Sequence, residues 1–197
     1  MKTFKAKDLR PAVFIDRDGV LNQEIGYITA FDQLKIFPFA KEAIDIIKKC
    51  GYQCIVVTNQ SAVARGLVSE EAIQGIHQQM QEELFFDAIY YCPHYPPGIL
   101  EGDAGNPYRT VCMCRKPQPG LIIQAAHEHG IDLAYSFMVG DRRIDIEAGK
   151  NAMLKTVLVK TGHVSLTSNL ECNQDYTCND LLMFAKSLLP YLKGIEE

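Results

Sequence analysis

Two carboxylates stand two residues apart, directly after a short apolar run near the start of the chain. Asp16 and Asp18 follow the apolar residues 12–15, and Gly19 then permits a sharp turn. One carboxylate of such a pair can attack phosphorus and form a mixed anhydride, while the other moves protons to the leaving alkoxide and from water. Both need a divalent cation nearby, because an isolated carboxylate repels a phosphate dianion. A solvated turn is the alternative interpretation of these residue types.

Polar and basic side chains with affinity for phosphate follow at two later points. Thr58 and Asn59 come directly after the apolar residues 54–57, and their hydroxyl and amide groups can donate hydrogen bonds to phosphate oxygens. Arg115 and Lys116 precede a predicted helix, where a lysine would neutralise the charge of a phosphoryl group in transfer. Ordinary turn residues and a solvated basic pair are the respective alternatives.

A second pair of carboxylates follows an apolar run in the last third of the chain. Asp141 leaves the predicted strand 137–139 much as Asp16 leaves the first strand, and a hard cation prefers oxygen ligands of this kind. Asp145 lies four residues later and could orient Asp141, Lys116 or a metal-bound water. Carboxylates also favour the first turn of a helix through its dipole, so a capping role is the alternative.

Four potential metal ligands of another kind occur as two close pairs. Cys92 and His94 form one pair, and Cys112 and Cys114 form the other, at the two ends of the irregular stretch 92–114. Three thiolates and one imidazole suit tetrahedral Zn²⁺, and four protein ligands leave no open position for catalysis. The spacing therefore predicts a structural zinc site, against the alternative of small buried residues and a surface histidine.

The elements that must position these groups alternate between apolar strands and amphipathic helices. The predicted strands cover residues 12–15, 54–57, 88–91, 137–139 and 156–159. The predicted helices cover residues 38–51, 69–84, 119–129, 144–151 and 181–189. Such alternation predicts an α/β fold, a Rossmann-like doubly wound parallel sheet with helices on both faces. Ligands bind such sheets beyond the carboxyl ends of the strands, where the polar residues above are expected.

Bulk properties limit the classes of function. A length of 197 residues with 47% hydrophobic content predicts a single domain spanning residues 1–197. The net charge of -4 disfavours a broad nucleic-acid surface. No run reaches the ~18 apolar residues of a membrane span, and no signal peptide is evident, so a cytoplasmic location is expected. The expected partner is a small phosphorylated molecule, with no nucleic acid or membrane, and the expected oligomeric state is a monomer.

Taken together, these motifs resemble the haloacid dehalogenase (HAD) superfamily of phosphohydrolases. The matching residues, in the family's order, are Asp16-x-Asp18-Gly19, Thr58, Lys116 and Gly140-Asp141-x-x-x-Asp145. The resemblance implies that Asp16 is the nucleophile, Asp18 the general acid and base, and Thr58 and Lys116 phosphate ligands. It also implies Mg²⁺ bound by Asp16, Asp141 and the backbone carbonyl of Asp18, with Asp145 behind them.

The cysteine and histidine pairs narrow this resemblance to the subgroup of heptose bisphosphate and histidinol-phosphate phosphatases. The segments closest to the heptose enzymes are residues 16–22, 58–61 and 64–66. This implies a capless phosphatase that removes phosphate from a small sugar phosphate in the synthesis of lipopolysaccharide precursors. A second phosphate of such a substrate could be bound by Arg115 and Arg65, since arginine's planar fork suits phosphate. Solvated surface positions are the alternative for both arginines.

Two other functions remain open at this point. A histidinol-phosphate phosphatase would share both the chemistry and the zinc site, and a zinc-stabilised interaction module with an inactive site would share only the latter. Three histidines on predicted helices, His77, His127 and His129, are expected at the surface or partly packed, without a role in catalysis. His163 follows a strand end at Thr161-Gly162, which would allow a position near the site, but an ordinary loop residue is the preferred interpretation.

Overall fold

The computed structural model describes residues 4–5, 8–98, 105–163 and 172–192. Six parallel strands form one sheet in the order β3-β2-β1-β4-β5-β6. The strands are β1 (Ala12–Ile15), β2 (Gln53–Asn59), β3 (Ala88–Cys92), β4 (Phe137–Gly140), β5 (Lys155–Val159) and β6 (Tyr176–Cys178). The predicted parallel α/β fold is confirmed.

Five helices connect and cover the strands. They are α1 (Ala40–Lys49), α2 (Glu70–Leu84), α3 (Gly120–His129), α4 (Arg143–Asn151) and α5 (Leu181–Leu192). The Ser69 hydroxyl caps α2 by accepting a hydrogen bond from the Ala72 amide at 3.2 Å. Gly130 ends α3 in the left-handed conformation, at a φ of 63°, which glycine adopts without steric cost. Among these residues, no helix has the length and hydrophobicity that crossing a bilayer requires.

The core lies in two layers, one on each face of the sheet. Side chains alternate along β1, so that Val13 and Ile15 join one layer and Ala12 and Phe14 join the other. The first layer holds the buried faces of α1, α2 and α5, and the second holds those of α3 and α4. Because both faces are covered, the strand β1 is fully buried, as its unbroken apolar sequence predicts.

The sequence pattern missed one strand. β6 is only three residues long and its first two residues are exposed, so it carries no apolar run that could reveal it. Asp175, just before the strand, holds it in place, since its Oδ2 accepts hydrogen bonds from both the amide (2.7 Å) and the hydroxyl (2.8 Å) of Thr156. The first helix also begins at Ala40 rather than at the predicted Pro38.

The chain order places a crevice above the carboxyl end of β1. From β1 the chain moves outward through β2 and β3 on one side, then returns to build β4, β5 and β6 on the other. Ile15, the last residue of β1, is in register with Val56 of β2 and Val139 of β4. The residues that follow these three strands therefore meet at a switch point, where α/β sheets bind ligands.

Candidate active site

The buried ammonium of Lys116 contacts groups at, or shortly after, the carboxyl ends of three strands. Its Nζ lies 2.8 Å from Oδ1 of Asp16 and 2.6 Å from Oδ1 of Asp145, and it donates to the backbone carbonyl of Val57 at 2.8 Å. Burial by itself would lower the pKa of Lys116, but the two carboxylates outweigh burial and raise it. The lysine is therefore held as a cation at the base of the site.

Asp16 lies at the tip of β1, with one carboxylate oxygen already engaged. Its Oδ1 accepts a hydrogen bond from the Arg17 amide at 2.7 Å, in addition to the contact with Lys116. Burial, and then the negative charge of Asp145, raise the pKa of Asp16 to about 7. A positive charge placed beside Asp16 would favour its ionised form and so make it nucleophilic.

Asp141, at the tip of β4, is fully buried, and one of its oxygens is unsatisfied. Its Oδ2 accepts a hydrogen bond from the His163 amide at 2.7 Å, whereas Oδ1 has no hydrogen-bond partner among the described residues. Burial, and then the charge of Asp16, raise the pKa of Asp141 to about 6. A Cβ on either Gly19 or Gly162 would overlap this carboxylate, so both glycines are needed for its position.

The carboxylates at this point fit a hard cation. Oxygens of Asp16, Asp141 and Asp145 all lie within 4.8 Å of one another. Asp145 is already committed, because Oδ1 contacts the lysine ammonium and Oδ2 accepts from the Arg142 amide at 3.0 Å. Asp16 and the unsatisfied oxygen of Asp141 therefore remain for a metal ion that prefers oxygen ligands. The backbone carbonyl of Asp18 remains a predicted third ligand.

The side chain of Asp18 is held by a dense set of donors. Arg17 donates to Oδ1 through Nε (3.1 Å) and Nη2 (3.0 Å), and to Oδ2 through Nη2 (2.9 Å). Asn22 donates to Oδ1 at 2.9 Å, and Gln60 donates to Oδ2 at 3.0 Å. Burial by itself would raise the pKa of Asp18, but Arg17 and these hydrogen bonds lower it. Asp18 is thus a carboxylate in this structure.

The two polar residues at the end of β2, Thr58 and Asn59, make different contacts. The Thr58 hydroxyl is buried beside the site and accepts a hydrogen bond from Gln60 Nε2 at 2.9 Å. Asn59 was predicted to bind phosphate, but its amide exchanges two hydrogen bonds with the backbone of Lys116, at 3.0 and 3.1 Å. The side chain of Asn59 therefore positions Lys116, although the residue also borders the cavity described next.

A cavity of about 460 Å³ opens above these groups. Its lining includes the predicted residues Asp16, Asp18, Thr58, Asn59, Arg65, Arg115 and Lys116. At its mouth, the guanidinium of Arg65 lies 4.4 Å, and that of Arg115 5.0 Å, from the centre of the Tyr95 ring. Arg115 also donates to the backbone carbonyl of His94 at 3.1 Å. The buried Asp16 and Lys116 therefore lie at the base of the cavity, and the partly exposed Arg65 and Arg115 make its mouth basic.

The expectation that His77 lies at the surface or is only partly packed is wrong. The residue is only 2% exposed, and its Nε2 lies 3.1 Å from Nη1 of Arg17, a side chain that is itself 1% exposed. The helical spacing contained a signal for this burial, because His77 lies on the same stripe as the buried Ile73, Met80 and Leu84. Neither Arg17 nor His77 was predicted to belong to the site.

A second group of residues at the cavity was also not predicted. Glu24 and Arg142 both border the cavity, and their ion pair of 2.6 Å joins the segments that follow β1 and β4. Arg142 Nε donates to Nδ1 of His163 at 3.1 Å. His163 is thus close to the site through both its ring and its backbone, as its place after a strand end allowed, and the preferred interpretation as an ordinary loop residue is wrong.

The four predicted zinc ligands converge beside the cavity. The sulfur of Cys114 lies 3.0 Å from that of Cys92 and 3.3 Å from that of Cys112, and Cys92 and Cys112 are 3.5 Å apart. His94 Nδ1 lies 3.2 Å from Cys114 and 3.6 Å from Cys92. Tetrahedral zinc places such donors roughly 3.5–3.8 Å apart, so a small expansion of the cluster would accommodate the ion.

Comparisons with known proteins agree with this geometry. The HAD-hydrolase-like family model matches residues 113–183. The D-glycero-beta-D-manno-heptose-1,7-bisphosphate 7-phosphatase of Salmonella typhi is 40% identical over 177 residues, which are 87% of this chain and 91% of that protein. The enzyme of the same name from Pasteurella multocida is 44% identical over 160 residues, 78% of this chain and 84% of that protein.

A solved structure extends the similarity to three dimensions. The D,D-heptose 1,7-bisphosphate phosphatase of B. bronchiseptica, complexed with magnesium and phosphate, superposes with a TM-score of 0.75 at 31% identity. The match covers 92% of this chain and 99% of that one. A relative of known structure therefore has this fold and binds magnesium and phosphate.

Proposed function

The chain belongs to the HAD-like hydrolases, in the family of the D-glycero-beta-D-manno-heptose-1,7-bisphosphate 7-phosphatases, and we propose that it removes the 7-phosphate of this sugar bisphosphate. The observation that carries the proposal is the meeting of Asp16 and Lys116, which line the cavity, with the buried Asp141 next to Asp16. These groups supply a nucleophile, a fixed positive charge and a site for a cation, which are the requirements of phosphoryl transfer to a carboxylate.

Asp16 is the proposed nucleophile. Lys116 and the Arg17 amide hold its Oδ1, which leaves Oδ2 to attack phosphorus and form an aspartyl phosphate. The Lys116 ammonium, with the Thr58 hydroxyl near it, binds the equatorial phosphate oxygens, where negative charge is spread in the transition state. Water then attacks the phosphorus of the intermediate, which releases inorganic phosphate and restores the Asp16 carboxylate.

Asp18 is the proposed proton carrier for both steps. In the first step its carboxylic acid form gives a proton to the leaving sugar oxygen, and in the second its carboxylate takes a proton from the attacking water. The contacts with Arg17 and Gln60 hold it as a carboxylate, the form that the second step uses. For the first step it must gain a proton, and at least one of these contacts must then give way.

We further propose that Mg²⁺ binds Asp16, Asp141 and the backbone carbonyl of Asp18. When bound, this cation would neutralise the charge of the carboxylates and of the transferring phosphate. The unsatisfied Oδ1 of Asp141 and the bound magnesium of the B. bronchiseptica enzyme support this assignment. Asp145 acts behind them by holding Lys116.

The cluster of Cys92, His94, Cys112 and Cys114 is proposed to hold a structural Zn²⁺. Its four donors already point at one another, which leaves no ligand position for substrate. Arg115 directly follows the last of these cysteines and donates to the carbonyl of His94. The zinc would therefore also fix the position of Arg115 at the mouth of the cavity.

The second phosphate of the substrate is proposed to lie at this basic mouth. Arg115 and Arg65 flank Tyr95, and both border the cavity that contains Asp16. A phosphate on the far end of the sugar could accept hydrogen bonds from both guanidinium groups. A substrate with one phosphate and a positively charged end, such as histidinol phosphate, would meet repulsion there instead.

Two measurements test this proposal. The value of kcat/KM should be higher for the heptose bisphosphate than for histidinol phosphate, and a preference for the latter would reject our choice of substrate. Asp16→Asn should abolish turnover with Mg²⁺ present while leaving folding and zinc content unchanged. Retained turnover would remove Asp16 from the mechanism, and a wild-type protein that hydrolyses no phosphomonoester would favour an inactive, zinc-stabilised interaction module.

A further inference from the structure

We propose that His77 is a positioning residue for proton transfer, because it holds the guanidinium of Arg17 and thereby sets the orientation of the Asp18 carboxylate. This inference rests on the proposed function, in which Asp18 carries protons. His77 lies on α2, 59 residues from Asp18 in the sequence (77 minus 18), and it does not border the cavity. Its effect on the reaction is therefore indirect.

Arg17 is the link between the imidazole and the carboxylate. Its Nε and Nη2 donate hydrogen bonds to the two oxygens of Asp18 at 2.9–3.1 Å. Its remaining nitrogen, Nη1, lies 3.1 Å from Nε2 of His77. The guanidinium is planar and rigid, so a contact at Nη1 fixes the rotation of the plane that presents Nε and Nη2. Displacing one end of the fork must displace the other.

Burial makes the contact hard to replace. Arg17 is 1% exposed and His77 is 2% exposed, so bulk water does not reach Nη1. If the residue at position 77 offered no acceptor, Nη1 of Arg17 would be a buried donor without this partner. Such a loss costs about 1–3 kcal/mol and favours a different position of the Arg17 side chain. The guanidinium would then leave the position in which its Nε and Nη2 donate hydrogen bonds to Asp18.

The chemistry of the imidazole supports the same role. Burial, and then the positive charge of Arg17, lower the pKa of His77 to about 3, so the ring is neutral and Nε2 can accept. The hydrogen bond assigns the ring proton to Nδ1, which is buried and has no hydrogen-bond partner in the described part of the chain. An apolar side chain at this position would not bury a donor without a partner. What the histidine provides instead is an acceptor, Nε2, for the guanidinium of Arg17.

The surroundings of His77 connect it with the cysteine and histidine cluster. Its ring packs edge-on against Tyr91, with ring centres 5.1 Å apart, and the Tyr91 hydroxyl donates to Glu70 at 3.0 Å. The Tyr108 hydroxyl donates to the other oxygen of Glu70 at 2.7 Å, and its ring lies 6.3 Å from that of His94. The first turn of α2 is thus tied to the loop that carries the cluster.

Three variants at one position test the inference. The Oε1 of glutamine falls near the position of Nε2, whereas the Oδ1 of asparagine falls near that of Nδ1. We expect His77→Gln to retain most of the activity, and His77→Asn and His77→Met to lose roughly ten- to a hundredfold in kcat on alkyl phosphates, a part of what acid–base catalysis contributes. KM should change little, because His77 does not line the cavity.

The leaving group separates positioning from a general structural defect. With 2,4-dinitrophenyl phosphate, whose leaving group needs no proton, the first release of dinitrophenolate, measured before steady state, should in His77→Asn remain within about threefold of the wild-type rate, since Asp18 assists only the later attack of water on this substrate. Equal losses in this first step on both substrates would overturn the inference, as would an Asn variant as active as the Gln variant. If His77→Met fails to fold, the Gln and Asn pair still decides.

A structural measurement separates this inference from the proposed function. In wild type and His77→Gln, the Nε–H of Arg17 should give a slowly exchanging NMR signal, and in His77→Asn the exchange should be faster. An unchanged signal in all three proteins would overturn the inference, while the proposed function would stand if wild type is active. A wild type inactive on both substrates would overturn the proposed function and, with it, the role of His77 in proton transfer.

Discussion

The ammonium of Lys116 lies 2.8 Å from Oδ1 of Asp16, although the two residues are 100 positions apart in the sequence (116 minus 16). Both side chains are almost fully buried, and Asp145 completes the charge cluster, with its Oδ1 2.6 Å from the ammonium. The cation that we propose to stabilise a transferring phosphate is thus also the group that neutralises two buried carboxylates. We therefore expect activity and stability to be coupled at this lysine.

Replacing Lys116 by methionine should therefore reduce both activity and stability. We expect kcat to fall by about 10²–10³, as for the loss of one donor to transition-state charge. The free energy of unfolding should fall by about 3–5 kcal/mol at pH 8, because two buried carboxylates lose their partner. Without the lysine, the pKa of Asp16 and that of Asp145 rise further above their unfolded values, so the stability deficit should grow from pH 5 to pH 8.

Urea unfolding at the two pH values measures this effect. Lys48→Met is the matched control, since Lys48 forms an exposed pair with Asp87 at 2.9 Å, worth about 0–1 kcal/mol. A Lys116→Met deficit that is the same at both pH values would contradict the assignment of two buried carboxylates to this lysine.

Adding a methyl group at Gly162 should impair magnesium binding. The Cβ of alanine would overlap Oδ2 of Asp141, and the carboxylate would have to move. We expect Gly162→Ala to raise the Mg²⁺ concentration for half-maximal activity by at least about tenfold, which corresponds to about 1.4 kcal/mol. Gly75→Ala, where the new Cβ meets nothing within 4 Å, is the control. A normal magnesium requirement in Gly162→Ala would argue against Asp141 as a ligand.

Removing one ligand of the cysteine and histidine cluster should lower both metal content and stability. Cys112→Ser should reduce bound zinc from one ion per chain toward none and lower the melting temperature, because the energy of binding a structural metal is part of the folding energy. Atomic absorption and thermal unfolding, with and without a chelator, provide the measurements. Cys172→Ser, which lies outside the cluster, should match wild type, and a wild type without zinc would contradict the site.

The buried imidazole of His77 should make the protein sensitive to acid. Its pKa is lowered to about 3 in the folded chain and is ordinarily near 6.5, so below pH 6.5 the unfolded state binds a proton that the folded state does not. Stability is therefore lost as the pH falls from 6.5 toward 3. At pH 4.5, about two pH units below the ordinary pKa, this loss is about 2–3 kcal/mol, since each pH unit contributes about 1.36 kcal/mol.

His77→Gln should remove this part of the acid sensitivity. The difference in unfolding free energy between the variant and wild type should shift in favour of the variant between pH 7 and pH 4.5. His127→Gln, at an exposed position on α3, is the control and should follow wild type at every pH. Parallel curves for wild type and His77→Gln would show that the folded protein protonates His77 readily.

The architecture was predictable because apolar runs and polar strand ends are local properties. The burial of β1, the cap at Ser69 and the end of α3 at Gly130 each depend on a few neighbouring residues. The strand β6 was not predictable, since three residues, two of them exposed, form a strand only when β5 and Asp175 provide its partners. The helical spacing did contain a signal for the burial of His77, but not for its contact with Arg17, which depends on the packing of α2 against the segment after β1.

By itself, the sequence determined which chemistry is available, since residue types and their spacing placed two carboxylates after β1, another after β4, a lysine before α3, and four metal ligands in two pairs. Only the tertiary structure decided how these groups divide the work: Asn59 holds Lys116, Asp145 pairs with it, and Arg17 and His77 orient Asp18. The physical reason is that hydrogen bonds and ion pairs depend on angstrom-scale distances between residues remote in the chain, which the packing of the sheet and helices alone establishes.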